Sequence, residues 1–430
     1  MNDRRVLAAG SAPTSGTVPV PGSKSIANRA LVVAALADGD TELTGVPDGD
    51  DTVAMLGCLA NLGIATETAG DRVFVGGRGG VLRPSGRLDA KLAGTTSRFV
   101  TALAALADVP VIIDGDAPLR TRPMAELHEA LGSLGARIDH GEAPGHLPVS
   151  ISGPLRKGGA VSLRGDVSSQ FITALMLIGP MLEGGLTIDL TTPLVSVPYV
   201  KLTAAVMAAF GVDGVAIDEG QIIVPSGRYT GRRYPVEPDA SSASYPLAIA
   251  AARGGSVTVP GLTRESRQGD IAILDLLAAM GCDVSSTDTA VTVSRAPERP
   301  LTGIDVDMAG TSDLVPTIAA LAVLATSPTT IRGVGFIRTK ESDRLGDLAD
   351  ELRKTGAVVD VTADGLHIEP VQGGAAGLHG ASLHTHHDHR LAMAFAVLGA
   401  IVDGIVVEDP GVVTKSWPGF WGAYDALLAP

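Results

Sequence analysis

The stretch "LGCLANLGIATETAGDRVFVGG", residues 56–77, decides the architecture of this chain, because the same pattern returns four more times. It combines a short apolar helix, a glycine that ends the helix, and two short strands joined by a turn. Related stretches begin at Leu127, Leu202, Ile273 and Leu348. A near-constant interval between such stretches indicates a fold built from repeats.

The glycine that ends each short helix marks the period of the repeat. These glycines are separated by 72, 76, 70 and 75 residues, and each is placed to adopt the left-handed conformation that closes a helix. They are Gly63, Gly135, Gly211, Gly281 and Gly356. A sixth helix, from Phe420, ends the chain with no strands after it. We therefore expect the sixth repeat to be completed by the strands "RRVLAAG" and "GTVPVPG" of the N-terminus.

Each repeat also carries a second helix, with a polar head and an almost wholly apolar body. A helix that is apolar on every side is a buried helix. The heads hold more charge than capping needs, and we expect their positive dipole ends and cations to attract a substrate with several negative charges. The six segments begin with "GSKSIANRAL" at Gly22, "GTTSRFV" at Gly94, "DVSSQFI" at Asp166, "DASSASY" at Asp239, "GTSDLVP" at Gly310 and "HDHRLAM" at His387.

Composition limits the classes of function. The chain has 430 residues, is 45% hydrophobic and carries a formal charge of −14, which favours two cores and argues against nucleic-acid or anionic-membrane partners. Cys58 and Cys282 are its only cysteines, so we expect neither a disulfide framework nor a zinc site. No apolar run is long enough to span a bilayer, and no signal peptide is recognisable at the N-terminus. We expect a cytoplasmic protein that acts as a monomer.

Three chemical motifs are absent or unconvincing. "PGSKS" lacks the glycine-rich lead of a phosphate-binding loop, and no G-x-S-x-G is present. "HTHHDHR", His384–Arg390, offers four imidazoles, but no carboxylate cluster matches it and its end begins a buried helix. We therefore predict no metal and no cofactor. A metal-dependent hydrolase, which chelators would inactivate, stays the least favoured alternative.

Nine segments, in this order along the chain, resemble the 5-enolpyruvylshikimate-3-phosphate synthase family. The resemblance extends from about residue 17 to 420 and is carried by "PGSKSIANRALVVAAL", "LAGTTSRF", "RTRPM", "DVSSQFITALML", "LVSVPYV", "VEPDASSASYPLAIAA", "RTKESDRL", "HDHRLAMAFAV" and "DPGVVTKSWPGFW". It implies transfer of the enolpyruvyl group of phosphoenolpyruvate to the 5-hydroxyl of shikimate 3-phosphate, with release of phosphate. It also implies competitive inhibition by glyphosate.

The resemblance implies a two-domain inside-out α/β barrel, with three βαβαββ repeats in each domain and the active site in the cleft between them. We expect one domain over residues 20–236. The second should comprise residues 1–19 and 237–430, with one repeat split across the termini.

The resemblance also assigns site residues, with no cofactor. Asp313, Glu341 and Lys24 are implied as catalytic, although the sequence leaves open which carboxylate protonates the methylene carbon. The implied shikimate 3-phosphate ligands are Lys24, Ser25, Arg29, Ser168, Ser169, Gln170, Ser196, Tyr199, Asp313 and Lys340. The implied phosphoenolpyruvate ligands are Lys24, Gly94, Arg122, Gln170, Arg344, Arg390 and Lys415. Leu92, Phe99 and Phe336 differ from the residues that are frequent in relatives at these positions, so we expect them to change the affinity for substrates locally.

Two alternatives share the scaffold. The enolpyruvyl transferase that acts on UDP-N-acetylglucosamine typically has lysine–asparagine where this chain has Lys24–Ser25, and it often carries a cysteine in the loop matching "DGDAPLRTRP", where this chain has none. A non-catalytic anion-binding protein is argued against by the presence of Lys24, Asp313, Glu341 and Arg390. Phosphate release would separate an enzyme from such a binding protein.

Overall fold

The computed structural model describes residues 3–10 and 12–429, so residues 1, 2, 11 and 430 of the second predicted domain lie outside the described chain. The described α-helices are α1 Lys24–Leu36, α2 Asp50–Asn61, α3 Gly94–Ala104, α4 Ala117–Arg120, α5 Ala125–Ser133, α6 Ser169–Ile178, α7 Val197–Ala209, α8 Ala240–Arg253, α9 Ile273–Ala279, α10 Val315–Ala322, α11 Gly346–Arg353, α12 His389–Gly399 and α13 Phe420–Leu428.

The strands are short and numerous. They are β1 Arg4–Val6, β2 Thr14–Thr17, β3 Asp38–Thr44, β4 Ala65–Ala69, β5 Arg72–Arg78, β6 Leu88–Asp89, β7 Val111–Asp114, β8 Arg137–His140, β9 Val149–Ser152, β10 Lys157–Leu163, β11 Glu183–Leu190, β12 Ala216–Ile217, β13 Gln221–Val224, β14 Arg233–Pro235, β15 Gly255–Pro260, β16 Asp283–Ser286, β17 Ala290–Arg295, β18 Asp305–Asp307, β19 Thr329–Arg332, β20 Val358–Val361, β21 Leu366–Glu369, β22 Ser382–His384 and β23 Val406–Glu408.

The chain divides into two compact domains. The continuous domain is Gly22–Val236, and the discontinuous domain joins Met1–Pro21 to Glu237–Pro430. The chain passes between the two domains at Pro21–Gly22 and at Val236–Glu237. Each domain has its own hydrophobic core, as length and composition predict.

The continuous domain contains three four-stranded sheets, with orders β14-β3-β5-β4, β6-β7-β9-β8 and β10-β11-β13-β12. Each sheet mixes one parallel strand pair with antiparallel ones. The helices that precede or follow these strands, α1, α3 and α6, are buried along almost their whole length. The predicted buried helices are therefore confirmed in this domain.

The discontinuous domain contains two four-stranded sheets, β16-β17-β15-β2 and β18-β19-β21-β20, and the three-stranded sheet β1-β23-β22. Its buried helices are α8, α10 and α12. The N-terminal strand β1 completes the last sheet by pairing with β23. Both termini thus contribute to the same repeat.

One detail of the predicted split repeat is wrong. β2 does not join β1 in the sixth repeat, but pairs in parallel with β15 in the fourth. The reason is the chain crossing: β14, the strand that precedes α8, pairs with β3 in the continuous domain. β15 therefore takes its parallel partner from the N-terminal segment.

The helix-ending glycines have the predicted conformation. Gly63, Gly135, Gly211, Gly281 and Gly356 all have φ between 82° and 106°. A side chain at such φ values is strained, so glycine closes these helices at the lowest cost. This C-cap turns the chain from the helix into the outer strands of each repeat.

One buried imidazole of the continuous domain gives a pH prediction. His128 of α5 is 2% exposed, and neither ring nitrogen has a hydrogen-bond partner among the described residues. Burial, with smaller contributions from His140, Arg98 and His146, lowers the pKa of His128 to about 4. Because the unfolded chain binds this proton more tightly, stability is present above pH 6.5 and is lost as pH falls towards 4. The loss amounts to about 2 kcal/mol between pH 7 and pH 5.

We expect the variant His128→Leu to lose correspondingly less stability over that pH range. Urea unfolding at pH 7, 6 and 5 measures this difference. The exposed His379 provides the control variant His379→Leu, which also removes one imidazole. Equal pH dependence in the two variants would contradict the assignment.

Candidate active site

The head of α1 places a lysine beside a buried carboxylate. Ser23 adopts an extended backbone, and its hydroxyl accepts the N–H of Ile26 at 3.5 Å, which starts the helix. The Lys24 Nζ then lies 2.9 Å from Asp51 Oδ2, at the start of α2. The Lys24 and Asp51 side chains are 15% and 4% exposed, so the lysine is held at a defined position.

Arg29, one turn further along α1, is a buried cation surrounded by neutral acceptors. Its Nε donates to Thr203 Oγ1 at 2.8 Å, and its terminal nitrogens donate to the Ser25 and Tyr199 carbonyls and to Thr173 Oγ1. Burial lowers the pKa of Arg29 to about 10, against a smaller opposite contribution from Tyr199. Among the described residues Arg29 has no carboxylate partner, and a buried uncompensated cation favours an anionic ligand.

The heads of α6 and α7 supply small polar groups. The Ser168 hydroxyl caps α6 by accepting the N–H of Gln170 at 3.3 Å, and Ser169 begins the helix. The Gln170 side chain donates to Thr95 Oγ1 at 3.2 Å, which connects α6 to the head of α3. Ser196 precedes α7 with a left-handed backbone, φ 55°, which is uncommon outside glycine and asparagine. Such strain concentrates at binding sites.

The head of α3 brings two arginines to one glycine. A Cβ at Gly94 would lie 2.5 Å from Arg122 Nη1 and 2.8 Å from Arg98 Nη1. Arg98 is fixed by its bonds to the carbonyls of Gly94 and Pro123, at 3.0 and 3.2 Å. Both arginines are at least nine-tenths buried. The absence of a side chain at Gly94 therefore makes room for the Arg122 guanidinium.

Arg344 of the discontinuous domain lies at the centre of three carboxylates. Its Nε donates to Asp388 Oδ2 at 2.6 Å, its Nη1 to Asp313 Oδ1 at 2.8 Å and its Nη2 to Glu341 Oε2 at 2.9 Å. The Arg344 and Asp388 side chains are 2% and 0% exposed. Burial by itself lowers the pKa of Arg344, but Asp388, Glu341 and Asp313 outweigh it and raise the pKa.

Asp313 is shared between two arginines. Besides Arg344, it accepts a hydrogen bond at 2.6 Å from Nη2 of Arg390, in the first turn of α12. Burial by itself raises the pKa of Asp313, but Arg390, Arg344 and Lys340 outweigh it and hold the pKa well below its ordinary range. Asp313 is therefore ionised at neutral pH.

Glu341 lies between two cations of the same domain. Its Oε2 accepts from Arg344, and its Oε1 is 4.0 Å from Nζ of Lys415. The Lys415 side chain is 7% exposed, and the Lys340 ammonium lies 5.8 Å from the centre of the Phe336 ring. These contacts thus connect five of the predicted residues into one cluster, namely Asp313, Glu341, Arg344, Arg390 and Lys415.

Several polar residues of these clusters are missing from the sequence-based site. Asp51 pairs with Lys24, and Asp388 caps α12 through the Arg390 N–H while also binding Arg344. In the sequence both look like ordinary helix-capping acids. Asp270 is buried and accepts the Ser241 hydroxyl, and burial together with Asp313 raises its pKa. Its only sequence signal is a lone acid after "RQG".

Two kinds of feature are absent from the described residues. No three histidine, cysteine, aspartate or glutamate side chains in residues 3–10 and 12–429 are arranged to hold a metal ion. No described helix combines the length and hydropathy needed to cross a membrane.

Comparisons with known proteins agree over the whole chain. The sequence model of the family described as EPSP synthase (3-phosphoshikimate 1-carboxyvinyltransferase) matches residues 8–423. A curated protein of Trichormus variabilis named 3-phosphoshikimate 1-carboxyvinyltransferase is 42% identical over 421 residues, which cover 97% of each chain. A protein of the same name from Methanoculleus marisnigri is 42% identical over 96% of each chain.

A solved structure supports the fold as well as the sequence relationship. The EPSP synthase of Acinetobacter baumannii superposes with a TM-score of 0.82 at 27% identity, over 99% of this chain and 98% of that one. The predicted inside-out α/β fold is therefore confirmed.

Proposed function

This chain belongs to the EPSP synthase family, and on that basis we propose how its own residues bind the two substrates and move the protons. The protein is a transferase of the shikimate pathway: it transfers the enolpyruvyl group of phosphoenolpyruvate to the 5-hydroxyl of shikimate 3-phosphate and releases phosphate. The UDP-N-acetylglucosamine alternative is not favoured.

Shikimate 3-phosphate is assigned mainly to the heads of α1, α6 and α7, with Asp313 and Lys340 as further ligands. Arg29 supports this assignment most directly, because the hydrogen bonds that its buried guanidinium donates to described residues all end on neutral oxygens. The Ser168 hydroxyl caps α6 and Ser169 is the first residue of the helix, and helix N-termini favour phosphate. The full proposed set is Lys24, Ser25, Arg29, Ser168, Ser169, Gln170, Ser196, Tyr199, Asp313 and Lys340.

Phosphoenolpyruvate, the donor, is assigned to the remaining cations. A guanidinium pairs with carboxylate or phosphate through two parallel hydrogen bonds, and Arg122, Arg344 and Arg390 are each buried enough to make such bonds strong. Lys24 and Gln170 are shared between the two substrates in this proposal. The full proposed set is Lys24, Gly94, Arg122, Gln170, Arg344, Arg390 and Lys415.

The reaction needs two proton transfers in the addition and two in the elimination. The 5-hydroxyl loses its proton as its oxygen bonds to C2 of phosphoenolpyruvate, while C3 gains a proton to become a methyl group. The resulting tetrahedral intermediate then loses a C3 proton as the C2–O bond to phosphate breaks; the double bond re-forms and the leaving phosphate takes up a proton. Asp313 is proposed to face the hydroxyl and Glu341 the methylene carbon, with Lys24 stabilising the charge that develops.

The single observation that carries this proposal is the sharing of Asp313 between Arg344 and Arg390. A carboxylate held by two guanidiniums is a weak base, because its pKa is low. The carboxylate of phosphoenolpyruvate competes with Asp313 for the same N–H groups. Binding of the donor therefore weakens the pairing of Asp313 with Arg344 and Arg390, which raises the basicity of Asp313 at the stage when the hydroxyl must lose its proton.

Gly94→Ala tests the donor assignment. The added methyl would lie 2.5 Å from Arg122 Nη1, so the guanidinium must move while the fold is kept. Loss of one charge-assisted hydrogen bond costs about 1.5–3 kcal/mol. We expect the KM for phosphoenolpyruvate, measured by phosphate release, to rise about 10- to 100-fold, and glyphosate inhibition to weaken more than turnover does.

Gly57→Ala is the matched control for Gly94→Ala. Gly57 also lies in a helix, α2, and a Cβ there meets no atom within 4 Å. The KM for shikimate 3-phosphate should change little in either variant. An unchanged KM for phosphoenolpyruvate in Gly94→Ala would refute the placement of Arg122 in the donor site.

A further inference from the structure

The turn that leads into α12 has an unusual backbone. His386 and His387 both have left-handed conformations, with φ of 50° and 57°. Two consecutive non-glycine residues in this region are held there only when surrounding contacts fix them. The turn ends at Asp388 and Arg390, which reach Arg344 and Asp313 respectively. The contacts that fix this turn therefore also fix the positions of Asp388 and Arg390 against Arg344 and Asp313.

The fixing contacts come from α11. The Glu351 side chain, 3% exposed, places its Oε1 2.9 Å from His386 Nε2, and its Oε2 accepts the His384 N–H at 2.9 Å. The other ring nitrogen of His386 lies 3.7 Å from Asp347 Oδ2. Asp347 and Glu351 are four residues apart, so both face the same side of the helix.

The same face of α11 is connected to the segment that carries Glu341 and Arg344. Asp347 Oδ2 also accepts the Asp343 N–H at 2.9 Å. Among the described residues, the other charged partner of Glu351 is Lys354, whose Nζ is 2.6 Å from Oε2. His384 packs edge-on against His386, with ring centres 4.5 Å apart, and its Nδ1 accepts the His386 N–H at 3.2 Å. His386 is thus contacted on both ring nitrogens and on its backbone.

We propose that His386, clamped between Asp347 and Glu351, is a positioning residue for the donor site: it sets the turn that delivers Asp388 and Arg390. This inference rests on the proposed role of Arg390 in binding phosphoenolpyruvate. The polar partners of His386 among the described residues are His384, Asp347 and Glu351, none of them a proposed substrate ligand, so its effect passes through the backbone to Asp388. A misplacement of about 1 Å in such a cluster costs up to about 100-fold in rate.

The neighbouring histidine offers a matched control. His387 shares the left-handed conformation, but its side chain is 64% exposed and its ring nitrogen lies 3.4 Å from Asp409 rather than from α11. Asparagine tolerates left-handed backbone, so His386→Asn and His387→Asn both keep the turn conformation accessible. Only His386→Asn shortens the side chain that reaches Glu351. His386→Gln restores an N–H donor at nearly the original length.

The test measures kcat and both KM values, with thermal melting as a check of folding. We expect His386→Asn to lower kcat/KM for phosphoenolpyruvate about 10- to 100-fold, with a much smaller change in the KM for shikimate 3-phosphate. His386→Gln should recover most of the loss, and His387→Asn should resemble the parent protein. A merely structural role would lower the melting temperature without this difference between the two substrates.

Three outcomes would overturn the inference: equal kinetics for His386→Asn and His387→Asn, no recovery in His386→Gln, or equal effects on both substrates. If His386→Asn does not fold, Glu351→Gln weakens the same contact and should give the same difference between substrates. Arg390→Lys separates this inference from the proposed function. If Arg390→Lys raises the KM for phosphoenolpyruvate and His386→Asn does not, the inference alone fails. If neither variant does, the donor assignment fails as well.

Discussion

We expect Asp313→Asn to lower turnover about 10²- to 10⁴-fold while the protein stays folded, because this is the usual loss when a positioned proton-transfer group is removed. Asparagine has nearly the same shape, and its one carbonyl oxygen can still accept from Arg344 or Arg390. It cannot accept a proton from the 5-hydroxyl. The variant therefore separates the basicity of Asp313 from its place in the ion-pair cluster.

The competing explanation is that Asp313 only stabilises the start of the helix that follows it. A capping side chain contributes about 1 kcal/mol of stability and little to rate. Asp307→Asn is the control, because the Asp307 carboxylate accepts the Ala309 N–H at 2.8 Å on the exposed surface. Phosphate release and thermal melting on both variants decide the matter. A lower melting temperature with near-normal turnover in Asp313→Asn would contradict the proposed catalytic role.

The repeat architecture could be predicted because each repeat is encoded locally. The helix-ending glycines, such as Gly63 and Gly281, are needed for a backbone conformation that other residues adopt only at a cost. The polar heads and apolar bodies of the second helices follow from capping and burial within a single stretch of chain. Neither signal depends on which strands become neighbours.

What the sequence did not reveal depends on contacts between distant segments. The partner of β2 could not be predicted, because its pairing with β15 follows from the chain crossing at β14. The role of Asp388 was hidden for a similar reason. In the sequence it precedes a helix as any capping residue does, and only the fold brings the Arg344 Nε to 2.6 Å from it.

Ion pairs between distant residues are hidden in the sequence for the same reason. Lys24 was recognisable as a cation at a helix head, but its partner Asp51 lies 27 residues away in a stretch of several acids. The left-handed backbone of His386 is likewise invisible in sequence, since histidine carries no conformational signature comparable to that of glycine. Motifs therefore located the chemical groups, whereas the fold was needed to show what holds them.

Arg344→Met should have the largest effect on stability. The substitution keeps an unbranched side chain but leaves the fully buried Asp388 carboxylate without its guanidinium. Removing one partner of a buried ion pair costs about 3–5 kcal/mol, because the remaining charge stays desolvated. Urea unfolding at pH 7 measures the loss. Arg332→Met is the control: its pair with Asp305 is half-exposed, and such pairs contribute about 0–1 kcal/mol.

Adding Asp388→Asn to Arg344→Met tests the cause of that loss. Asparagine keeps the capping oxygen for the Arg390 N–H and removes the stranded charge. We therefore expect the double variant to be more stable than Arg344→Met alone. The effects of the two substitutions on the free energy of unfolding are then not additive, as is usual for residues in contact. Its turnover should stay low, because Asp313 and Glu341 have still lost their shared guanidinium. If Asp388→Asn lowers stability further in the Arg344→Met background, a stranded carboxylate is not the origin of the loss, and packing of the arginine stem must account for it instead.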